Sequence, residues 1–500
     1  MRWSCLRTAA LLVGCGLTAC SDGEPRATNR PAVPELEPLT DMDDDPDVVE
    51  VSLVAGVSEM KYLPTGPAEV WAYRDGAKKE ALARVPGPLI EARQGDRVIV
   101  HFRNELDEGT TIHWHGIRVP NEADGSSATQ EEIPPAGEFT YEFVARDEGT
   151  FWYHPHVRGD SQVERGLHGM VVVRGGPKIP VERERTFVLD DVKLKASGVL
   201  SDSTTSLDIM LGRQGNFIVA NGVVDGVLEA AASSRERWHI VNTANGRYFN
   251  LQLPGHSLRV IGWDGGLLEE PYATDTLLIA PGERYDVLVE LDGKAGSEVA
   301  LETIHYDRGH EVPDPGPQRV LTLRLGKPPS SPPQALPEIW GAAVELAAPE
   351  GAVEREFVLK EEEIDDGQDV RFTINDQAFP DIPPLRAREG DIEVWRFDNQ
   401  SEMDHPFHLH GMFFRVLDVN GEVPEHVGWK DTVNIPQMSQ LRFAVQYGDP
   451  GVWMYHCHIL EHQERGMMAE LEVEPRGGEG EGNGGDQAEP QHLHTQRLAR

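Results

Sequence analysis

The chain has 500 residues, of which 39% are hydrophobic and 36 are proline, and its formal net charge is −38. That length exceeds one ordinary core and points to three domains of about 100–150 residues each. The charge argues against nucleic acid as a partner and favours neutral or cationic ligands over anionic ones.

The first twenty residues, MRWSCLRTAALLVGCGLTAC, read as an export signal, with Arg2 and Arg7 as the positive start before a short apolar run. The run is too short for a membrane span. Leu17-Thr18-Ala19-Cys20 is similar to the lipobox of bacterial lipoproteins. That likeness implies lipid on Cys20, membrane attachment through this anchor alone, and a place in the bacterial cell envelope, in the periplasm or on the outer surface. Residues 21–47 are polar, Pro-rich and acidic, ending in DMDDDPD, and read as a disordered tether.

An internal repeat organises the rest of the chain. Ala92 to Asn104 reads ARQGDRVIVHFRN, and Ala387 to Asn399 reads AREGDIEVWRFDN. Carried forward, Ile112-His113-Trp114-His115-Gly116 falls on Phe407-His408-Leu409-His410-Gly411. A second block sets Gly149-Thr150-Phe151-Trp152-Tyr153-His154-Pro155-His156 on Gly451-Val452-Trp453-Met454-Tyr455-His456-Cys457-His458. A weaker middle copy, Arg237-Trp238-His239-Ile240-Val241-Asn242, leads into no histidine pair. Three related units are therefore expected, at 48–177, 178–326 and 351–475. A stiff linker over 327–350 begins KPPSSPPQALP, and a flexible tail occupies 476–500. Short alternating runs between Gly/Pro turns predict an all-β fold of antiparallel sandwiches or barrels.

The chemistry lies in four His-x-His pairs: His113/His115, His154/His156, His408/His410 and His456/His458. A further pair, His492/His494, falls in the tail and reads as incidental. On a strand, residues i and i+2 share a face, so each pair is a two-nitrogen clamp. Imidazole suits zinc, copper, iron or nickel. Eight imidazoles exceed the needs of one tetrahedral ion and suit a cluster shared by the outer units.

Cys457 is the single cysteine outside the first twenty residues. In an exported chain an unprotected thiol oxidises, and a metal would keep it as thiolate. Pointing away from His456 and His458, it needs partners on its own face. His405, His462 and Met467 supply two imidazoles and a thioether, which completes the ligand set of a blue-copper electron-transfer site. In the first unit Pro155 stands in the place of Cys457, Thr110 in that of His405 and, by simple offset, Asp160 in that of His462.

Four motifs, IHWHG, WYHPH, HPFHLHG and HCHILEHxxxGMM, resemble in order those of the multicopper oxidases, over roughly Val51 to Glu474. The resemblance implies three cupredoxin-like Greek-key domains and four copper ions. It gives the type 1 copper His405, Cys457 and His462 with Met467 axial, and the type 2 copper His113 and His408. The two type 3 coppers would take His115, His154, His156, His410, His456 and His458. The implied reaction oxidises a donor by single electrons and reduces dioxygen to water. A laccase-like activity on phenols or aromatic amines is the first expectation. A cuprous oxidase for envelope copper detoxification is the second, and a copper-free binding module the third; a monomer is expected. Asp124 matches a carboxylate position for proton supply. Where relatives often have an acid after the second type 1 histidine, this chain has Gln463; Glu464, next to it, is the candidate substitute for proton supply, although on a strand it would face the other way. Met403, two residues before His405, is a possible docking thioether for cuprous ion, although packing is its ordinary role.

Overall fold

The computed structural model describes residues 30–201, 204–310, 312, 314–331, 333–364 and 369–477. The segment expected to be an export signal, with Cys20, and the tail with His492 and His494 lie outside the described residues. Among the described residues, no helix is long and apolar enough to cross a membrane.

Six sheets pair into three sandwiches. The first sandwich joins a sheet ordered Gly66–Asp75, Val48–Leu63, Arg97–Asn104, Glu138–Val144 to one ordered Ile90–Arg93, Gly169–Arg174, Gly149–His154, His113–His115. The second spans Arg183–Val192 to Gln318–Gly326, and the third spans Glu354–Ile364 to Met468–Glu474. Each sandwich encloses its own apolar core, with Val100, Phe102 and Trp114 in the first, Trp238, Val287 and Leu321 in the second, and Trp395, Phe407 and Trp453 in the third. The expected purely antiparallel pairing does not hold. Every sheet contains one parallel pair, such as Val48–Leu63 with Arg97–Asn104 and Glu354–Ile364 with Ile392–Asn399. In each case the two parallel strands are separated in sequence by other strands of the same sandwich, which supply the crossover that a parallel pair requires.

The repeat is structural at its last residue. Asn104, Asn242 and Asn399 each end a strand, fully buried, and each closes the loop beyond it. Asn104 Nδ2 donates to the carbonyls of Glu108 and Ile133, Asn242 Nδ2 to those of Arg247 and Ile279, and Asn399 Nδ2 to those of Met403 and Ile435. Each Oδ1 accepts the amide two residues on. A buried amide that meets all its neighbours' needs fixes where the next loop starts, and these loops lead to the histidine pairs in the outer units.

Residues 30–47 are not the free tether their composition suggested. Val33 and Leu39 are buried. Val33 N donates to Val227 O at 2.9 Å and Leu39 N to Leu89 O at 2.8 Å, so the segment straps the second sandwich to the first. Its aspartates serve their own backbone: Asp41, Asp43 and Asp45 each accept the amide two residues on, a run of turns that composition alone hides. The linker also packs, with Leu346 buried and its carbonyl held by Arg415.

Three short helices lie near the histidine-bearing strands or their ends: α1 (Gly159–Gln162) in the first domain, α2 (Ser206–Leu211) in the second and α3 (Leu460–Glu464) in the third.

Candidate metal centres

Two strand pairs carry the histidines, in matching register. His113 lies opposite His154 in the first domain, and His408 lies opposite His456 in the third. His410 and His458 come immediately after their strands, and His156 comes two residues after its own. All eight imidazoles are buried and meet at the junction of the outer domains. Nε2 of His456 lies 3.1 Å from that of His410 and 3.4 Å from that of His156, so one triple is formed from both domains. His113 and His408 have ring centroids 5.7 Å apart. His458 completes the cluster beside His115, at 4.9 Å, and His154, at 5.6 Å.

The chain aims these rings. Nδ1 of His113 donates to Asp124 O, of His154 to Pro155 O, of His408 to Asp431 O and of His456 to Cys457 O, all at 2.9–3.0 Å. A proton fixed on Nδ1 leaves Nε2 as a lone pair turned inward. His410 is set in the same sense by the Asp124 carboxylate, at 3.0 Å. His115 is reversed: its Nε2 meets Thr432 Oγ1 at 2.9 Å and Asp431 Oδ1 at 3.2 Å, leaving Nδ1 inward. The inward nitrogens of His113, His115, His154 and His408, and both nitrogens of His458, have no hydrogen-bond partner. Burial holds His115, His154, His410, His456 and His458 well below the ordinary imidazole pKa, and His156 down at about 3. Neutral, desolvated imidazoles with unmet lone pairs fit a borderline-soft metal ion such as copper. Burial raises the pKa of Asp124, but His410 and His113 outweigh it, so the carboxyl stays well below its usual range.

The middle domain, which has no ligand histidine, nevertheless reaches the cluster. Arg284, fully buried, grips Asp431 with two bonds of 2.6 and 2.5 Å. Its Nε donates to Thr150 O in the first domain at 3.0 Å. Asp264 lies 3.1 Å from Arg284 and 3.0 Å from Lys430, and Lys430 bonds Glu283 at 2.7 Å. Two glycines make room for this approach. A Cβ on Gly116, where φ is +86°, would sit 2.2 Å from Arg284 Nη2, and one on Gly282 would sit 2.8 Å from the His458 ring. Sequence reasoning missed Arg284, Asp431 and Thr432. No repeat or ligand spacing marks them, since their role comes from the packing of three domains.

A second, smaller set lies in the third domain alone. Cys457 Sγ is 3.6 Å from His405 Nδ1 and 3.7 Å from His462 Nδ1, and the two nitrogens are 3.2 Å apart. Their outer nitrogens are held by Ser401 Oγ, at 2.7 Å, and by Met210 O of α2, at 3.1 Å. Burial pushes the Cys457 thiol well up, so a bound cation is what would hold it as thiolate. Met467 is buried in the same core cluster, with its carbonyl accepting from Cys457 N at 3.0 Å.

The strand expected around Glu464 is instead helix α3. Chain turning after His458 carries His462 back toward Cys457. Glu464 docks on the first domain, where its Oε1 accepts from Gly159 N at 2.8 Å, and burial raises its pKa to about 7. It hydrogen-bonds none of the clustered histidines. Met403 is fully buried in the core and unavailable to solvent.

Comparison with known proteins agrees with this architecture. Three family models, each described as multicopper oxidase, match residues 68–178, 193–298 and 355–477. Multicopper oxidase MmcO of Mycobacterium tuberculosis is 32% identical over 433 residues, covering 78% of this chain and 81% of that protein. Laccase-2 of Cryptococcus neoformans is 26% identical and covers 81% of this chain and 83% of its own. The structure of a multicopper oxidase from Campylobacter jejuni, described as a metallo-oxidase, superposes with a TM-score of 0.79. It is 28% identical and covers 90% of this chain and 96% of that one. The chain belongs to the multicopper oxidase family. It is thus a copper oxidoreductase that passes electrons from a reducing substrate to dioxygen.

Proposed function

We propose that this protein is a laccase-like oxidase of phenols and aromatic amines that uses four copper ions. In this reading His405, Cys457 and His462, with Met467 axial, hold the type 1 copper. His113 and His408 hold the type 2 copper, and His115, His154, His156, His410, His456 and His458 hold the type 3 pair. Bound there, copper supplies one-electron oxidation of the donor and four-electron reduction of dioxygen to water.

The observation that carries the reading is the position of Cys457. Its sulfur faces His405 and His462, its peptide bonds join it to His456 and His458, and its carbonyl accepts from His456 Nδ1 at 2.9 Å. One residue therefore links the two sets by covalent bonds and one hydrogen bond. Around it, Asp124 orients His113 through its carbonyl and His410 through its carboxylate, while Asp431 and Thr432 orient His115 and His408. The unmet nitrogens argue against a copper-free binding module, because burying them without a ligand is costly.

Oxidation of cuprous ion is the alternative, and the Campylobacter jejuni relative is described as a metallo-oxidase. The burial of Met403 removes the thioether that favoured it. Export with a lipid on Cys20 belongs to the proposal and rests on the leader sequence. The test is oxygen uptake by the copper-loaded protein with a phenol and with cuprous ion, offered separately. Faster uptake with the phenol, without peroxide release, is expected. Uptake with cuprous ion alone would select the metallo-oxidase, and no uptake with either would overturn both.

A further inference from the structure

Four arginines are buried among the described residues. Three meet carboxylates: Arg185 with Glu236 at 2.6 Å, Arg213 with Glu164 at 2.9 Å and Arg284 with Asp431 at 2.5 Å. Arg308 is 3% exposed, its Nε and Nη1 are buried without a hydrogen-bond partner, and among the described residues it forms no ion pair. In a chain of net charge −38, carboxylates are abundant, so a buried guanidinium without one is a local exception. An unpaired buried charge is unstable unless something pairs with it. Burial accordingly lowers its pKa, against the raising effect of Tyr248 and Asp404.

Arg308 lines a cleft of about 80 Å³ with Arg247, Gln214, Tyr248, Tyr306 and Gln318. That is room for a group the size of a carboxylate. Arg247 is already engaged, by Asp191, Gly215 O and Gln318, and adds fixed positive charge without needing a partner. The guanidinium of Arg308 lies 5.7 Å from the Tyr248 ring centroid, and that ring stacks on Tyr306. The cleft adjoins the smaller metal-binding set. Asp404 N, one residue before His405, donates to Arg308 O at 2.9 Å, and Tyr248 belongs to the same core cluster as Cys457.

We propose that this cleft is an anion-binding site in which Arg308 receives a carboxylate beside the His405, Cys457 and His462 set. Two sources carry that chemistry: a free small anion, and the acid group of an aromatic donor. The second source rests on the laccase-like reading above; the first does not.

Calorimetric titration of the copper-loaded full chain with formate tests the site itself. Saturable binding is expected, weakened at least about tenfold by Arg308→Gln and less by Arg308→Lys, since a charged hydrogen bond to a carboxylate is lost in one and kept in the other. Melting curves run beside it. Formate is expected to raise the melting temperature of the wild-type protein and not that of Arg308→Gln, which has no charge to pair. Equal affinity in wild type and Arg308→Gln, or no saturable binding to the wild type, would overturn the site. If Arg308→Gln does not fold, Arg308→Met takes its place: formate affinity identical to wild type overturns the proposal, and a weakening of at least about tenfold supports it. The source is then read from 4-hydroxybenzoate against 4-hydroxybenzamide as donors. A fall in kcat/KM for the acid alone in Arg308→Gln assigns the cleft to the donor, and unchanged values for both assign it to a free anion. Oxidation of neither donor would sink the laccase-like reading while leaving the calorimetric result intact.

Discussion

The first and third domains build one frame and finish it differently. His113 faces His154 as His408 faces His456, and Pro155 O fixes its histidine as Cys457 O does. At the far side of the strand the two part. In the third domain Cys457, His405 and His462 converge. In the first domain Thr110 Oγ1 donates to Gln162 Oε1 at 2.7 Å, and Gln162 Nε2 donates to Gly109 O at 2.9 Å. The counterpart of His462 is thus Gln162 at the end of α1, and not Asp160, which a simple offset had chosen. The two strands are also anchored differently. Thr150 is bonded to Asp286 of the middle domain at 2.5 Å, while its counterpart Val452 is held by Asn121 of the first domain. The difference shows that the shared cluster needs ligands from both domains, whereas three positions decide whether a domain also has a mononuclear set.

The strongest way to break the comparison is to make the third domain resemble the first at its sulfur. Cys457→Ser is expected to abolish the intense visible absorption of a copper–thiolate bond and the oxidation of every donor. The eight clustered histidines are untouched, so bound copper should fall by one ion per chain. Absorption spectra with metal analysis check this. Full oxidase activity in that variant would mean that electrons do not pass by Cys457.

A smaller effect is expected where the middle domain grips the cluster. Arg284→Met leaves Asp431 buried without its partner, which costs about 3–5 kcal/mol of stability. With Asp431 no longer held, His115 and His408 lose their orientation, and copper affinity at the cluster should fall about 10–100-fold. The visible band of the Cys457 set should persist, since Arg284 does not touch it. Thermal melting and copper retention under a chelator measure the two halves, and loss of the visible band first would show that the assignment of Arg284 to the cluster is wrong.

Much of this frame was legible in the sequence because it repeats. His-x-His spacing, the lone Cys457 and the paired blocks placed twelve ligand candidates; the structure brings seven of the clustered histidines within ligand distance of one another, sets the His458 ring beside His115 and His154, and separately gathers His405, Cys457 and His462. The buried asparagines were visible as the last letter of each repeat, although their loop-closing role was not. Charge patterning failed where charges act on their own backbone or across domains. The acidic run before Val48 reads as disorder by composition, yet its carboxylates cap successive amides. Arg284 and Asp431 are 147 positions apart and meet only when the second and third domains pack. Glu464 was misread because helix α3 interrupts the strand pattern directly after His458.

The mildest test concerns the domain that lacks a thiolate. If Thr110 and Gln162 only fill the space that His405 and His462 use elsewhere, they are structural. Thr110→Val then removes the donor to a buried Gln162 Oε1 and should cost about 1–3 kcal/mol, the penalty of an unmet buried acceptor. Adding Gln162→Leu removes that acceptor as well and should restore part of the loss, the remainder being the bond that Gln162 Nε2 gives to Gly109 O. Copper content and the visible band should match the parent in both variants. Denaturant unfolding of the single and double variants gives the coupling between the two side chains. A change in copper content from Thr110→Val alone would show that the first domain's far side takes part in metal binding, and the division between the two domains would have to be redrawn.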